Sequence, residues 1–304
     1  MMDALSSPNL VPVPHRARRV GLLYAPGIEA ARRLGLELEG WLARLEIAVW
    51  RGCADDARDT EAGEIASCDL LFTLGGDGTA LRGAHLAAPL GVPLVCVGLG
   101  HLSFMAELTP EDVLKEMPAF LAGDYWLERR ALLEGRLVRR GKEVARGLAL
   151  NELVLGRERN APALRVAVRV NGGELDVYTC DAIIVATATG STAYALSAGG
   201  PIIFPESRDV LLVPVAAHLS LLPPLVVPGE IRIELEVVGG GPSGVNADGQ
   251  PLADLEGGDV LQVQRSPTFC YFARRQERNY FFRTLKERLY RMGRCSPGDQ
   301  LQAR

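Results

Sequence analysis

A zinc ribbon, a thioredoxin-type pair or a secreted disulfide framework needs closely spaced cysteines, and this chain has none. Its six cysteines, Cys53, Cys68, Cys96, Cys180, Cys270 and Cys295, contain no CxxC spacing and read as buried, reduced thiols. The four histidines, His15, His85, His101 and His218, show neither an i, i+4 pair nor HExxH, so a metal cage made of protein ligands alone is not expected. Also missing are GxxxxGK[ST] and GxGxxG, since "GLGHLS" ends in serine where the fingerprint needs glycine. Walker-type nucleotidases and ordinary dinucleotide oxidoreductases are thereby set aside. Long apolar runs are scarce too: "DVLLVPVAAHLSLLPPLVV" is broken by prolines and a histidine and does not resemble a spanning helix. No excess of positive charge exists. The formal net charge is −4 and the pI about 5.7, so any polyanion must be met locally, and neither nucleic acid nor membrane is an expected partner. The opening "MMDALSSPNLVPVPHRARR" lacks the continuous apolar segment of a signal peptide, and a cytoplasmic location is expected.

What is present is a 304-residue chain, 48% hydrophobic and 23% charged, large enough for two domains. After a leader over 1–17, expected to be mobile, "RRVGLLYAP" reads as a strand. "IEAARRLGLELEGWLARLE" follows with Ala31, Leu34, Leu38, Leu42 and Leu45 at helical spacing. "IAVW", "DLLFTL" and "VPLVCVGLG" read as further strands, "CADDARDTEAGEIAS" as an acidic loop, and "TALRGAHLAAP" as a short helix. "PEDVLKEMPAFLAG" is a helix with Thr109 as N-cap and Pro110 at its first position. Alternation of strand and helix predicts a parallel sheet covered on both faces over 18–123. From 124 to 270 the period shortens and glycine turns separate alternating segments, which predicts a β-rich second domain. Over 271–304 the stretch "RRQERNYFFRTLKERLYRMG" is an amphipathic helix, with Phe281, Leu285 and Leu289 on one face and a solvated basic face opposite. The fold class is therefore α/β, an amino-terminal parallel-sheet domain plus a β-rich one.

The stretch "DLLFTLGGDGTALRGA" runs a buried strand into a glycine turn and then a helix. That geometry presents backbone N–H groups and a helix dipole to a phosphate. Gly75, Gly76 and Gly78 would let the backbone approach a ligand without Cβ interference, at the carboxyl end of a parallel strand where open α/β sheets bind ligands. Asp77 is the odd member. A carboxylate beside phosphates is repelled unless a cation or a reacting hydroxyl needs it; the plainer alternative is that it caps the helix.

Two further stretches add to this. "ATATGSTAYALSAGGPI" follows the strand "CDAIIVA" and sets Thr189, Ser191, Thr192, Tyr194 and Ser197 among small residues, a hydroxyl density that suits a nucleoside or its phosphates. "ALNELVLG" places Asn151 and Glu152 inside an otherwise apolar strand, where such groups need partners.

Together these three stretches resemble the NAD kinases, which transfer a phosphoryl group from ATP to the 2′-hydroxyl of the adenosine ribose of NAD. The resemblance covers roughly 69–292 and includes "NADGQPL" and the final "YFFRTLKERLYRMG". It implies that Asp77 is the catalytic carboxylate, with Gly78, Thr79 and Arg82 beside it at the dinucleotide. Asn151 and Glu152 would hold the nicotinamide-bearing or ribose portion, and Asp181 another polar edge. Thr189, Gly190, Ser191, Thr192, Ala193, Tyr194, Ala195, Leu196 and Ser197 would hold the adenosine part, with Gln250 nearby. It further implies that the last helix packs back on the first domain, that the protein is a homo-oligomer (dimer or tetramer), and that the donor is ATP or polyphosphate. A divalent ion, Mg2+, is expected, carried largely by the phosphates.

The chain departs from the family's common pattern at Ala182, Ala188 and Ser103, where glycine, proline and glycine are usual, and at Pro223, near which arginine is usual. A positive φ at Ala182 would cost about 1–2 kcal/mol. Two residues before the aspartate of "YTCDA", where a basic residue tends to accompany restriction to NAD, stands Thr179, so use of both NAD and NADH is expected. A lipid kinase of the diacylglycerol or sphingosine type shares the glycine turn, but usually carries its asparagine-glutamate pair immediately after it; here the pair is at 151 and 152. A non-catalytic NAD-binding regulator is the other alternative, and retention of Asp77 counts against it.

Overall fold

The computed structural model describes residues 16–55, 62–100, 103–218 and 222–294. The expected leader, except its last two residues, lies outside them, as do Cys295, His15 and His101. The chain forms two compact units, one made of the sequence through Arg129 and from Tyr271 onward, the other of Arg130–Cys270.

In the first unit, β1 (Arg19–Tyr24), α1 (Glu29–Ala43), β2 (Ala48–Cys53), α2 (Ala62–Ala66), β3 (Leu70–Gly75), α3 (Asp77–Ala87), β4 (Leu94–Gly98) and α4 (Pro110–Leu121) follow one another. The strands lie in the order β2-β1-β3-β4, all parallel, with Leu22 opposite Phe72 and Phe72 opposite Val95. Every residue of β3 is buried. Leu34, Leu38 and Leu42 of α1 and Val113, Met117 and Phe120 of α4 share a core with Leu70, Phe72 and Leu74. A Cβ on Gly83 of α3 would stand 2.4 Å from Thr73 Cγ2, so that helix is seated closely on the residues between them. Period-two alternation along β3 thus feeds helices on both faces, as the sequence predicts. Thr109 and Pro110 do stand at N-cap and N1 of α4. The acidic stretch, expected as loop throughout, instead contains α2, whose Ile65 is fully buried and anchors that turn.

The second unit is antiparallel. It holds most of β5 (Trp126–Arg139), then β6 (Lys142–Ala149), β7 (Glu152–Arg157), β8 (Leu164–Val170), β9 (Gly173–Cys180), β10 (Ala182–Ala186), the short α5 (Tyr194–Ser197), β11 (Val210–Val215) and β12 (Leu225–Val227). After these come β13 (Ile233–Gly239), β14 (Ser243–Ala247), β15 (Gln250–Leu255) and most of β16 (Val260–Arg274). One sheet runs β12-β11-β10-β7-β14-β15; β16, β13, β8 and β9 pair in a second. Leu153, Leu155, Ile183, Val185 and Val245 from the first sheet and Val166, Val168, Leu235, Leu261 and Val263 from the second interleave in one core. Ala182 begins β10 without positive φ, so the strain considered for it does not arise.

The last residues of β16 return to the first unit beside β4, with Phe272 opposite Leu94. There α6 (Tyr280–Arg294) follows, and Arg288 Nη1 on it donates to Phe104 O at 2.9 Å. Among the described residues, no helix is long and apolar enough to cross a membrane.

Candidate active site

The glycine turn sits where β3 ends and α3 begins. Gly76 is the N-cap in extended conformation (φ −95°, ψ −169°) with no side-chain cap, so Asp77 is the first helical residue. Its carboxylate does not cap α3. It turns instead to the segment after β4: Ser103 Oγ and the Met105 N–H (3.2 Å) donate to Oδ1, and the Phe104 N–H (3.0 Å) donates to Oδ2. Asp77 is therefore half-buried and held.

The three glycines differ. A Cβ on Gly75 would collide with Thr79 Oγ1 at 2.3 Å and Ala25 Cβ at 2.9 Å, so glycine there serves the packing of the turn on buried Thr79. Around Gly76 and Gly78 nothing lies within 4 Å of a built Cβ, and neither has positive φ. Among the described residues nothing demands glycine at those two positions, and what they leave is open space beside Asp77. Arg82, one turn on, donates from Nε to Ala54 O at 3.2 Å.

In the second unit the polar pair Asn151 and Glu152 is set by a hairpin. Asp248 and Gly249 (φ 48° and 77°) make the two-residue turn between β14 and β15. The Asp248 carboxylate accepts from the N–H groups of Leu150 (2.7 Å), Asn151 (2.8 Å) and Glu152 (3.0 Å). Both side chains of the pair are buried, and Asn151 Oδ1 and Glu152 Oε2 find no hydrogen-bond partner among the described residues. Burial, then the neighbouring Asp248 charge, pushes the Glu152 carboxyl up to about 7, against a lowering hydrogen bond from the Tyr194 backbone. Two adjacent acceptors without donors are the complement of a diol or another paired donor.

The hydroxyl-rich run from Thr189 to Ser197 divides in two. Ser191 is fully buried; its hydroxyl donates to Ala188 O (2.6 Å) and accepts from the Ile203 N–H (3.0 Å). Ala195 is also fully buried and packs with Ile184, Leu211 and Val213. A Cβ on Gly190 would lie 2.2 Å from Asn151 O, so this glycine lets the run pass close over the polar pair. These three buried residues shape the turn. Thr189 is buried and receives Arg130 Nη1 at 3.3 Å, while Thr192 donates back to Thr189 O at 3.1 Å. Tyr194 and Ser197 are exposed, with Ala193 half-buried before them and Leu196 half-buried between them.

Tyr194 borders a cleft of about 480 Å³ lined also by Arg157, Arg159, Asn160, Asp181, Ala182 and Asn246. Arg157 Nε donates to Asp181 Oδ1 at 2.6 Å, and that hydrogen bond holds the Asp181 carboxyl below its ordinary value. Thr179 is half-buried on β9, its carbonyl taken by the His218 N–H (2.8 Å), and Gln250 is exposed directly after the Asp248–Gly249 turn. Neither Thr179 nor Gln250 lines the cleft.

Two family profiles match the chain, the ATP-NAD kinase N-terminal domain over 31–125 and the ATP-NAD kinase C-terminal domain over 150–275. The chain belongs to the ATP-NAD kinase family. A NAD kinase of Chloroflexus aggregans is 41% identical over 273 residues, covering 90% of this chain and 99% of that protein. The crystal structure of an Archaeoglobus fulgidus NAD kinase in complex with ATP is 28% identical with a TM-score of 0.72, covering 90% and 98% of the two chains. A yeast NADH kinase complexed with NADH shares the fold, with a TM-score of 0.79 at 23% identity over 94% and 93%. Membership in the NAD kinases sets the lipid-kinase reading aside. The structure adds two residues that the sequence reading did not single out, Asp248 beneath the polar pair and Arg157 on Asp181. An Asp-Gly dipeptide between alternating segments was the available signal for the first; no local pattern marks the second.

Proposed function

We propose that the chain phosphorylates the 2′-hydroxyl of the adenosine ribose of NAD with ATP as donor, and that Asp77 is the base. The observation that carries this is the state of its carboxylate beside Gly76 and Gly78. Among the described residues Oδ1 has two donors and Oδ2 one, which leaves Oδ2 an acceptor position for an incoming hydroxyl. As the bond between the ribose 2′-oxygen and the γ-phosphorus forms, the bond from that phosphorus to the β,γ-bridging oxygen breaks; ADP leaves and the hydroxyl proton passes to Asp77. The transition state is loose, so holding the hydroxyl in line carries much of the rate.

Asn151 Oδ1 and Glu152 Oε2 take donors from the dinucleotide, and the cleft at Asp181 and Tyr194 takes one of its ends. Thr192, Tyr194 and Ser197 are the members of the hydroxyl run that reach ligand, with Arg82 and Gln250 at the margins. Thr179, uncharged, goes with use of NADH as well as NAD. Among the described residues no three His, Cys, Asp or Glu side chains converge on a metal position. No protein cage for Mg2+ is therefore assigned; the ion is expected to come with the triphosphate, and no step above depends on a protein ligand to it. A cytoplasmic homo-oligomer, dimer or tetramer, completes the proposal.

The test is incubation of purified protein with NAD, ATP and magnesium and measurement of NADP, with parallel arms containing NADH and polyphosphate. NADP formation from NAD and ATP is the expected result. Tight NAD binding with no NADP under any donor would instead support a non-catalytic regulator.

A further inference from the structure

Asp77 Oδ1 is the end point of two hydrogen-bond relays that begin on arginines near the carboxyl terminus. In the first, Arg288 Nη1 donates to Phe104 O (2.9 Å), and the N–H of that same peptide group, carried by Met105, donates to Asp77 Oδ1 (3.2 Å). In the second, Arg274 Nη1 donates to Met105 O (2.9 Å). The N–H of that peptide, carried by Ala106, donates to Ser103 Oγ (2.9 Å), whose hydroxyl donates to Asp77 Oδ1. A cation on a carbonyl polarises the peptide and strengthens what its N–H donates.

The two arginines are not equivalent. Arg274 is buried between Glu128 (2.5 Å) and Glu107 (3.3 Å), an arrangement that β16 needs whatever Asp77 does. Arg288 has no carboxylate partner among the described residues. Its guanidinium lies over the rings of Phe104 (5.6 Å) and Tyr280 (5.2 Å) and is aimed at one carbonyl. Seven residues after Phe281 and three after Leu285, Arg288 shares their face of α6 rather than the solvated basic one, and it is half-buried against the segment that holds Asp77.

We propose that Arg288 is a positioning residue for Asp77, acting through the Phe104–Met105 peptide to fix the carboxylate so that Oδ2 faces the acceptor hydroxyl. This rests on Asp77 being the base. The Phe104 ring under the guanidinium belongs to the residue whose own N–H holds Oδ2, so removal of Arg288 loosens both backbone donors at once, and a carboxylate left to Ser103 alone no longer presents one defined oxygen. Misplacement of a reacting group on this scale costs about tenfold to a hundredfold in turnover.

The experiment uses the full-length protein and a double-mutant cycle. Arg288→Ala should lower kcat about tenfold or more while KM for NAD stays within about twofold, and Arg288→Lys should recover a substantial part of the loss. In the Asp77→Asn background, Arg288→Ala should cost nothing further, because the group it positions no longer serves as base. Arg283→Ala, an exposed residue of the same helix paired with Glu277, should behave as the parent. Parental kcat in soluble Arg288→Ala would overturn the proposal. So would an equal loss in the Asp77→Asn background, or, where the alanine variant does not fold, a folded Arg288→Lys whose loss persists undiminished in that background. Parental turnover by Asp77→Asn itself would remove the reading beneath it and is read from the same set of assays.

Discussion

Two carboxylates dominate the site residues, and they are kept in opposite states. Asp77, in the first unit, receives three donors from a segment 26 to 28 residues further along the chain. Glu152, in the second, is buried beside Asp248 with Oε2 receiving none, and its carboxyl is raised to about 7. A group whose orientation must be right during bond making is immobilised by the protein in advance, which lowers reorganisation during the reaction. A group whose work is to bind is left with unfilled acceptors, which makes the empty protein less stable and the occupied one relatively more so. The difference lies in the donors each one meets, since both stand at strand ends, Asp77 just after β3 and Glu152 at the start of β7.

The largest effect should come from removing the prepared carboxylate. Asp77→Asn keeps the shape but not the charge, and turnover should fall by roughly 10²–10⁴-fold, the range of general acid–base contributions, with NAD affinity within about tenfold. The hydrogen bonds to Ser103, Phe104 and Met105 change the expectation for folding. An amide turns a donor toward groups that are themselves donors, so a stability loss of about 1–3 kcal/mol should accompany the kinetic one. Near-parental turnover in a destabilised variant would make Asp77 a brace for the segment and nothing more.

Glu152→Gln tests the other side. A carboxyl raised in the folded state binds more protons folded than unfolded between its two values, so stability falls as pH rises from about 4.5 through 7 and is level above. The span from 4.5 to about 7 corresponds to about 3 kcal/mol. Gln carries no charge at any of these pH values. Denaturant titrations should therefore find the variant more stable than the parent at pH 8 by up to about 3 kcal/mol and equal to it near pH 4.5, while NAD binding weakens by about tenfold. A variant less stable than the parent at pH 8 would show that the protein itself satisfies Glu152.

The sequence made much of this legible, and unevenly. Strand–glycine–helix order placed Gly75–Gly78 at the carboxyl end of β3, because period-two burial and turn chemistry are local properties. The polar pair Asn151 and Glu152 stood out for the same reason, although the apolar strand expected to contain both is broken there: Asn151 lies in the bend after β6 and Glu152 opens β7. Asp248, holding the N–H groups of Leu150, Asn151 and Glu152 from almost a hundred positions away, was not, and neither was the division of the hydroxyl run into an interior part at Ser191 and Ala195 and an exposed part at Tyr194 and Ser197. Long-range hydrogen bonds leave no period in the sequence. The half-buried cation at Arg288 was counted with the basic residues of α6, although its spacing of seven from Phe281 and three from Leu285 sets it on their face.

The smallest effect concerns Ser103, which stands where glycine is usual in the resemblance drawn above. Its Oγ accepts from the Ala106 N–H at 2.9 Å, so the single hydroxyl proton is free to point at Asp77 Oδ1, and it does. Ser103→Ala removes one of three donors to the carboxylate and leaves the Ala106 N–H without that acceptor. Two backbone N–H groups still hold Asp77, one on each oxygen. The carboxylate should therefore stay in place but loosen, with a stability loss of about 1 kcal/mol and a kcat only a few-fold below the parent at unchanged KM for NAD. Ser103→Thr keeps the hydroxyl and should restore both. If Ser103→Ala instead lost as much turnover as Asp77→Asn, the contrast between a carboxylate prepared by several partners and one left open would fail, because the preparation would then reside in one hydroxyl and the backbone clamp would contribute nothing.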